Sequence, residues 1–264
     1  MVDVLLAAAL AAAAPQARAP SPPIDATPAI FVVRDTDTTI YIFGTFHALD
    51  GRSEWFKGPV RQAFESSREL VLETVIPQGP ANAGPAITGH PIPVTPSASF
   101  LATTRLAIDA GRSKGMQVGY GADMVLRQAA EAEGKSVEGL ETLELQLNLF
   151  TRMPAATEQR TPRAGDPVED PMDSLSTAMS EMQSAWKHGD QSIFVHMLWQ
   201  LEANSPDTYR MMFTERNARW ADWIAGRMQT PGTVFVAVGA GHLAGKDSLL
   251  VRLAEQGMPS HRLN

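Results

Sequence analysis

The sequence predicts an α/β fold of the mixed (α+β) kind: a mixed central β-sheet covered by helices, with strands at both chain ends and helices in the middle. Three observations carry this. Strand-length apolar runs lie toward both termini, "TTIYIFG" from Thr38 and "GTVFVAV" from Gly232. The middle of the chain repeats apolar residues at helical spacing instead. Both apolar runs end alike, in "YIFGTFHALD" and "VFVAVGAGHLAG", with Gly, two residues and a histidine.

The elements follow in order. "LLAAALAAAA" and the small residues Ala17 to Ala19 fit a signal peptide over residues 1–19, although the preceding "MVD" has no Lys or Arg. The run is too short for a transmembrane helix. "PSPPIDATP" then reads as an extended tether over 20–29. A single domain is expected over 30–264. "AIFVVRD" and "TTIYIFG", split by "DTDT", form a β-hairpin. Ser53 caps a helix over Glu54 to Arg68, and "ELVLETV" (Glu69 to Val75) is a strand. The Pro/Gly-rich stretch 77–96 and "TPRAGDPVEDP" are loops. Helices are expected over Ser97–Ser113, Ala122–Glu133, Leu140–Met153, Met172–Lys187 and Gln191–Ala203. Ser205-Pro206 starts a long helix that runs to Met228. "GTVFVAV" is a buried strand, Lys246–Gln256 a helix, and "PSHRL" a terminal strand.

Composition narrows the function classes. A chain of 264 residues, 44% hydrophobic, supports one sizeable core. A net charge of −7 with scattered Lys and Arg gives no nucleic-acid footprint. The absence of cysteine excludes disulfides, thiolate metal sites and a Cys nucleophile. Beyond the leader no segment is apolar enough to span a membrane.

His47 and His242 each follow a buried strand and a glycine, Gly44 and Gly239. Glycine there permits a sharp turn or a close approach of backbone to a ligand. In open α/β sheets ligands sit beyond the carboxyl ends of the strands. Glu73 ends a third apolar run, where a lone carboxylate is costly unless paired or bound to metal. Two His and one Glu make a common ligand set for a catalytic divalent metal; the competing reading is three satisfied core or turn residues. If the metal reading holds, the strands before His47 and His242 lie side by side. In the long helix, Tyr209, Met212, Phe213, Trp220, Ile224 and Met228 define a buried stripe. Arg216 and Asn217 fall on that inward face, where an Arg needs an anionic or carbonyl partner. That partner is either a substrate or an internal carboxylate, Glu73 or Glu141. Gln146 lies on a similar stripe with Leu143, Leu147 and Phe150 and reads as structural, with a place lining the cleft, shared with Glu141, as the alternative. His261, in the terminal strand, is a further candidate for lining the cleft. His188 and His196 read as surface or packing residues, and His90 falls in the Pro-rich stretch.

Two motif matches do not survive their context. "GRSKG" fits G-x-S-x-G, but a helix precedes it rather than a strand. "GAGHLA" fits the dinucleotide fingerprint, but no second strand ending in an acid follows.

The blocks "YIFGTFH", "LVLET", "VGYGADMVLRQAAEAEGKSVEGLETLELQLNLF", "ERNARWADWI" and "VFVAVGAGHLAGKDSLLVRLAEQG" resemble, in that order, the TraB/PrgY/GumN family, related to the Tiki metalloproteases. The bacterial GumN-like branch is the nearest in kind, and its members are usually exported. The resemblance implies a fold like the erythromycin-esterase and ChaN-like group. It implies that the family's paired G-x-x-H motifs fall on Gly44–His47 and Gly239–His242, its acidic residue on Glu73 and its Arg-Asn pair on Arg216 and Asn217. The Tiki branch implies a divalent metal, manganese or cobalt ahead of zinc, and a peptide or protein substrate. The expectation is a periplasmic or secreted metallopeptidase. His47, His242 and Glu73 would be ligands, or Glu73 the base, while Arg216 and Asn217 would orient substrate or stabilise an oxyanion. The rival is a non-catalytic protein that sequesters a peptide in the same cleft.

Overall fold

The computed structural model describes residues 24–75, 98–152 and 170–264. The expected signal peptide, the Pro-rich stretch with His90, and the second polar loop up to residue 169 lie outside the described residues. The strands are β1 (Ile24–Asp25), β2 (Ile30–Arg34), β3 (Thr38–Thr45), β4 (Ser53–Glu54), β5 (Glu69–Thr74), β6 (Ser136–Glu141), β7 (Gly232–Gly239) and β8 (His261–Arg262). The helices are α1 (Gly58–Ser66), α2 (Ala98–Ser113), α3 (Ala122–Ala132), α4 (Leu143–Arg152), α5 (Pro171–Lys187), α6 (Ser192–Asn204), α7 (Pro206–Tyr209), α8 (Glu215–Arg227) and α9 (Leu249–Glu255).

The main sheet has the order β6-β5-β7-β3-β2-β8. β6, β5, β7 and β3 run parallel, while β2 is antiparallel to both β3 and β8. Both faces of the central strands are covered, which is why they read as near-continuous apolar runs. On one face Phe43, Leu70, Leu72 and Phe235 pack against Phe64 of α1, Leu126 of α3 and Trp186 of α5. On the other, Ile40, Ile42, Val71, Val236 and Val238 pack against Trp220 and Ile224 of α8 and Leu253 of α9.

This division fixes where a site can form. β3 is followed by α1 on one face, and its neighbour β7 by α9 on the other. A crevice opens between two adjacent parallel strands whose connections leave to opposite faces.

Three local expectations need correction. The first helix starts at Gly58, not Glu54: Pro59 sets its first turn, and Ser53–Glu54 pair in parallel with Ile24–Asp25 inside the expected tether. Residues 136–141 form an edge strand, so the helix expected from Leu140 begins at Leu143. The expected long helix is interrupted by a π turn over Arg210–Thr214.

Candidate active site

The parallel register sets Gly44 beside Val238 and Thr45 beside Gly239. His47 and His242 therefore leave the sheet side by side. Neither motif glycine has positive φ; both are needed for close approach. A Cβ on Gly44 would stand 3.2 Å from Cα of Ala240. A Cβ on Gly239 would stand 3.0 Å from Glu73 Oε1, 3.6 Å from His47 Nε2 and 3.7 Å from His242 Cδ2. The notch left by the missing side chain is thus the point on which all three residues converge.

His242 sits in a 3-10 turn, Ala240–Leu243, and is buried. Its ring lies between Phe213 and Trp220, at centroid distances of 4.8 and 4.5 Å. Asn217 Nδ2 donates to the Asp247 carbonyl at 2.7 Å, so its Oδ1 is left to accept from His242 Nδ1, also at 2.7 Å. This network assigns the proton to Nδ1 and leaves Nε2 as a bare lone pair. Burial pushes the His242 pKa down to about 3, more than Glu73 pushes it up, and the ring stays neutral.

Glu73 Oε1 accepts from the Gly239 N–H at 2.5 Å, and Oε2 from Arg216 Nη2 at 2.9 Å. Burial works to raise its pKa, but the positive surroundings of His242, Arg216 and His47, with the Gly239 N–H, hold it down at about 2. Because His242 itself stays neutral, Arg216, His47 and the Gly239 N–H are the partners that keep Glu73 ionised.

Arg216 organises this end of the sheet. Its Nε reaches both oxygens of Glu141, at 3.1 and 3.0 Å, and its Nη1 lies 3.2 Å from His242 Nε2. The guanidinium stacks on Trp220, and the Met212 carbonyl, within the π turn, accepts from Nη1 at 3.4 Å. Glu141 ends β6 opposite Thr74 and is also bound by Arg219. Arg216 therefore pairs with both carboxylates proposed for it from the sequence.

His47 differs from His242. Its side chain is 61% exposed, and Nδ1 lies 3.2 Å from Asp123 Oδ1. Desolvation in the cleft lowers its pKa, but the Asp123 contact and the charges of Asp123 and Glu73 outweigh it and raise the pKa to about 9. With so much of the ring open, water screens these pulls, and the upward direction follows from the carboxylate at Nδ1. Asp123 was missed by the sequence reading. It lies in the first turn of α3, whose Ala122 N–H donates to the Phe46 carbonyl. Gly121 makes that docking possible, since a Cβ there would stand 2.3 Å from the His47 carbonyl oxygen. The available signal was "GYGAD", glycine and acid at a helix start.

The remaining candidates lie apart. Gln146 is half-buried on α4, and among the described residues no hydrogen bond joins its side chain to the cluster. His261 is exposed on β8 opposite Val32, across the sheet from β5. His188 and His196 are exposed, as expected.

Does this cluster suit a metal? Its donor chemistry does. Nδ1 of each imidazole lies beside a side-chain oxygen, as in the outer shell of histidine ligands; His242 Nε2 is 3.9 Å from Glu73 Oε1, and His47 Nε2 borders the same Gly239 notch. The buried hydroxyl of Thr45, opposite Gly239, has no hydrogen-bond partner among the described residues. As they stand, however, no three His, Asp or Glu side chains among the described residues are spaced to hold an ion. Arg216 occupies Glu73 and His242 Nε2 instead.

A family model described as the TraB/PrgY/gumN family matches residues 29–89 and 86–261. No curated protein and no solved structure matches the chain.

Proposed function

The chain belongs to the TraB/PrgY/gumN family, and from that premise we propose that it is an exported, metal-dependent hydrolase that cleaves peptide bonds, with the Tiki metalloproteases as relatives. The observation that carries this reading is the convergence of His47 Nε2, Glu73 Oε1 and the His242 ring on the Gly239 notch. His47, His242 and Glu73 would hold the cation; manganese and cobalt are favoured over zinc on the Tiki resemblance. What a divalent cation supplies in such a site is Lewis acidity, which lowers the pKa of a water and polarises a carbonyl.

The chain's own residues divide the remaining work. Asn217 keeps the proton of His242 on Nδ1, and the Asp123 carboxylate stands beside Nδ1 of His47. Glu73, ionised beside Arg216, would serve as a metal ligand or as the general base. Arg216, buried and with all three guanidinium nitrogens engaged, orients Glu73 and His242. Asn217 has both side-chain polar atoms engaged, so it acts through His242 and does not reach substrate.

The second reading, a peptide-binding protein without catalysis, draws on one observation: Arg216 satisfies Glu73 and His242 without an ion. Calorimetry separates the two. Mn²⁺ titrated into the full chain gives saturable one-site binding, lost in His242→Ala, if the hydrolase reading holds. Absence of Mn²⁺ and Co²⁺ binding by the wild type leaves the binding-protein reading.

A further inference from the structure

A cavity of about 350 Å³ opens between the connection from β3 to α1 and the start of α3. Leu49, Gly51, Trp55 and Phe56 line it on one side, Tyr120 and Val125 on the other. Its floor is rigid. Trp55 stacks on Phe43 at 5.4 Å and meets Trp186 edge-on at 5.9 Å, and Phe56 packs edge-on against Phe64 at 5.1 Å. Its wall is Tyr120, 46% exposed, whose ring lies so close over Gly51 that a Cβ there would stand 2.8 Å from it. Gly51 also has φ +70°, so two constraints reserve the position for glycine.

The cavity adjoins the cluster. Leu49, which lines the cavity, follows His47 by two residues. Leu49 and Gln117 exchange backbone hydrogen bonds at 3.3 and 2.8 Å. Three residues beyond Tyr120, Asp123 contacts His47. The charges at the rim are already paired, Lys57 with Asp25 and with Glu54. An aromatic-lined space of this size, without an unpaired rim charge, suits one large uncharged side chain and is too small for a packed helix.

We propose that this cavity is the apolar subsite of the cleft, taking a large aromatic or aliphatic side chain of a peptide whose backbone crosses His47. The assignment rests on the peptide reading above, and it makes the substrate class a peptide with a bulky uncharged residue beside the bond that lies at the cluster.

The test uses the full chain without added metal, so that it reads the subsite alone. N-acetyl-L-phenylalanine methylamide and its alanine counterpart are titrated separately and followed by heteronuclear NMR. The phenylalanine probe is expected to bind with a dissociation constant on the order of 1 mM. It should shift the resonances of Gly51, Tyr120 and Val125, and the alanine probe should not. Tyr120→Ala, at an exposed position that leaves the core intact, is expected to weaken binding about fivefold, and Tyr120→Phe to preserve it. Equal response to the two probes, shifts confined to other parts of the molecule, or indifference to Tyr120→Ala overturns the assignment. Failure of the hydrolase reading appears elsewhere, as absent metal binding and absent cleavage, so the two failures are told apart.

Discussion

Arg216 Nη1 stands 3.2 Å from Nε2 of His242, on the side of the ring opposite the Asn217 contact. A guanidinium cannot accept a proton here, so the ring must present a lone pair to it. The same guanidinium holds two buried carboxylates, Glu73 and Glu141. Arg216 is therefore both the keystone of the strand ends and the group a cation must displace or share with.

Removing that keystone is costly. Arg216→Ala leaves Glu73 and Glu141 buried without their main partner, and the expected loss is about 3–5 kcal/mol of folding stability. Urea denaturation at pH 7 measures it. A loss within about 0.5 kcal/mol, typical of surface changes, would show that the ion pairs do not hold this end of the sheet.

The buried pair makes the protein acid-labile. The His242 pKa is depressed from 6.5 to about 3, so below pH 6.5 the unfolded chain takes up a proton that the folded chain refuses. Stability falls as pH falls from 6.5 toward 3. The Glu73 pKa is depressed from 4.5 to about 2, so its contribution, complete above 4.5, is lost as pH falls toward 2. Urea midpoints of the wild type should drop between pH 6.5 and 4, and those of His242→Gln should drop less. Parallel drops would contradict a neutral buried ring.

His47 titrates the other way. Its pKa is raised from 6.5 to about 9, so any stability it adds is complete below 6.5 and lost as pH rises through 9. NMR titration of the ring is expected to show a pKa well above 6.5 in the wild type and a return toward 6.5 in Asp123→Asn. An unchanged value in the variant would remove Asp123 as its partner. Divalent cations compete with this proton, so their affinity should rise with pH across the same range.

The site was legible where local pattern and chemistry coincide. Apolar run, glycine and histidine placed His47 and His242 at strand ends, and the stripe of the long helix turned Arg216 and Asn217 inward. Glu73 stood out as a carboxylate closing an apolar run. What stayed hidden depends on contacts distant in sequence. Asp123 matters only because the start of α3 docks on the Phe46 carbonyl. β6 carries "SVEGLE", polar because an edge strand is mostly exposed, so its period is too weak to read. The π turn that places Phe213 and the Met212 carbonyl has no sequence signature comparable to a proline or glycine break.

The notch itself can be tested by filling it. Gly239→Ala would put a methyl 3.0 Å from Glu73 Oε1 and 3.6 Å from His47 Nε2. The backbone there, φ −54° and ψ 137°, accepts alanine, so the fold should persist while Glu73 is pushed aside. Mn²⁺ affinity is expected to fall about tenfold or more, the scale seen when a metal's supporting residues are altered. Unchanged Mn²⁺ affinity in a folded variant would mean that the ion binds away from the notch.

The most direct measurement is cleavage. Wild-type protein and His47→Ala are each incubated with a broad peptide library, with Mn²⁺, with Co²⁺ and with a chelator, and the products are read by mass spectrometry. Metal-dependent cleavage by the wild type is expected, and it should vanish in His47→Ala and in the chelator. A wild type that cleaves nothing under any of these conditions, yet binds library peptides equally well without metal, would contradict it.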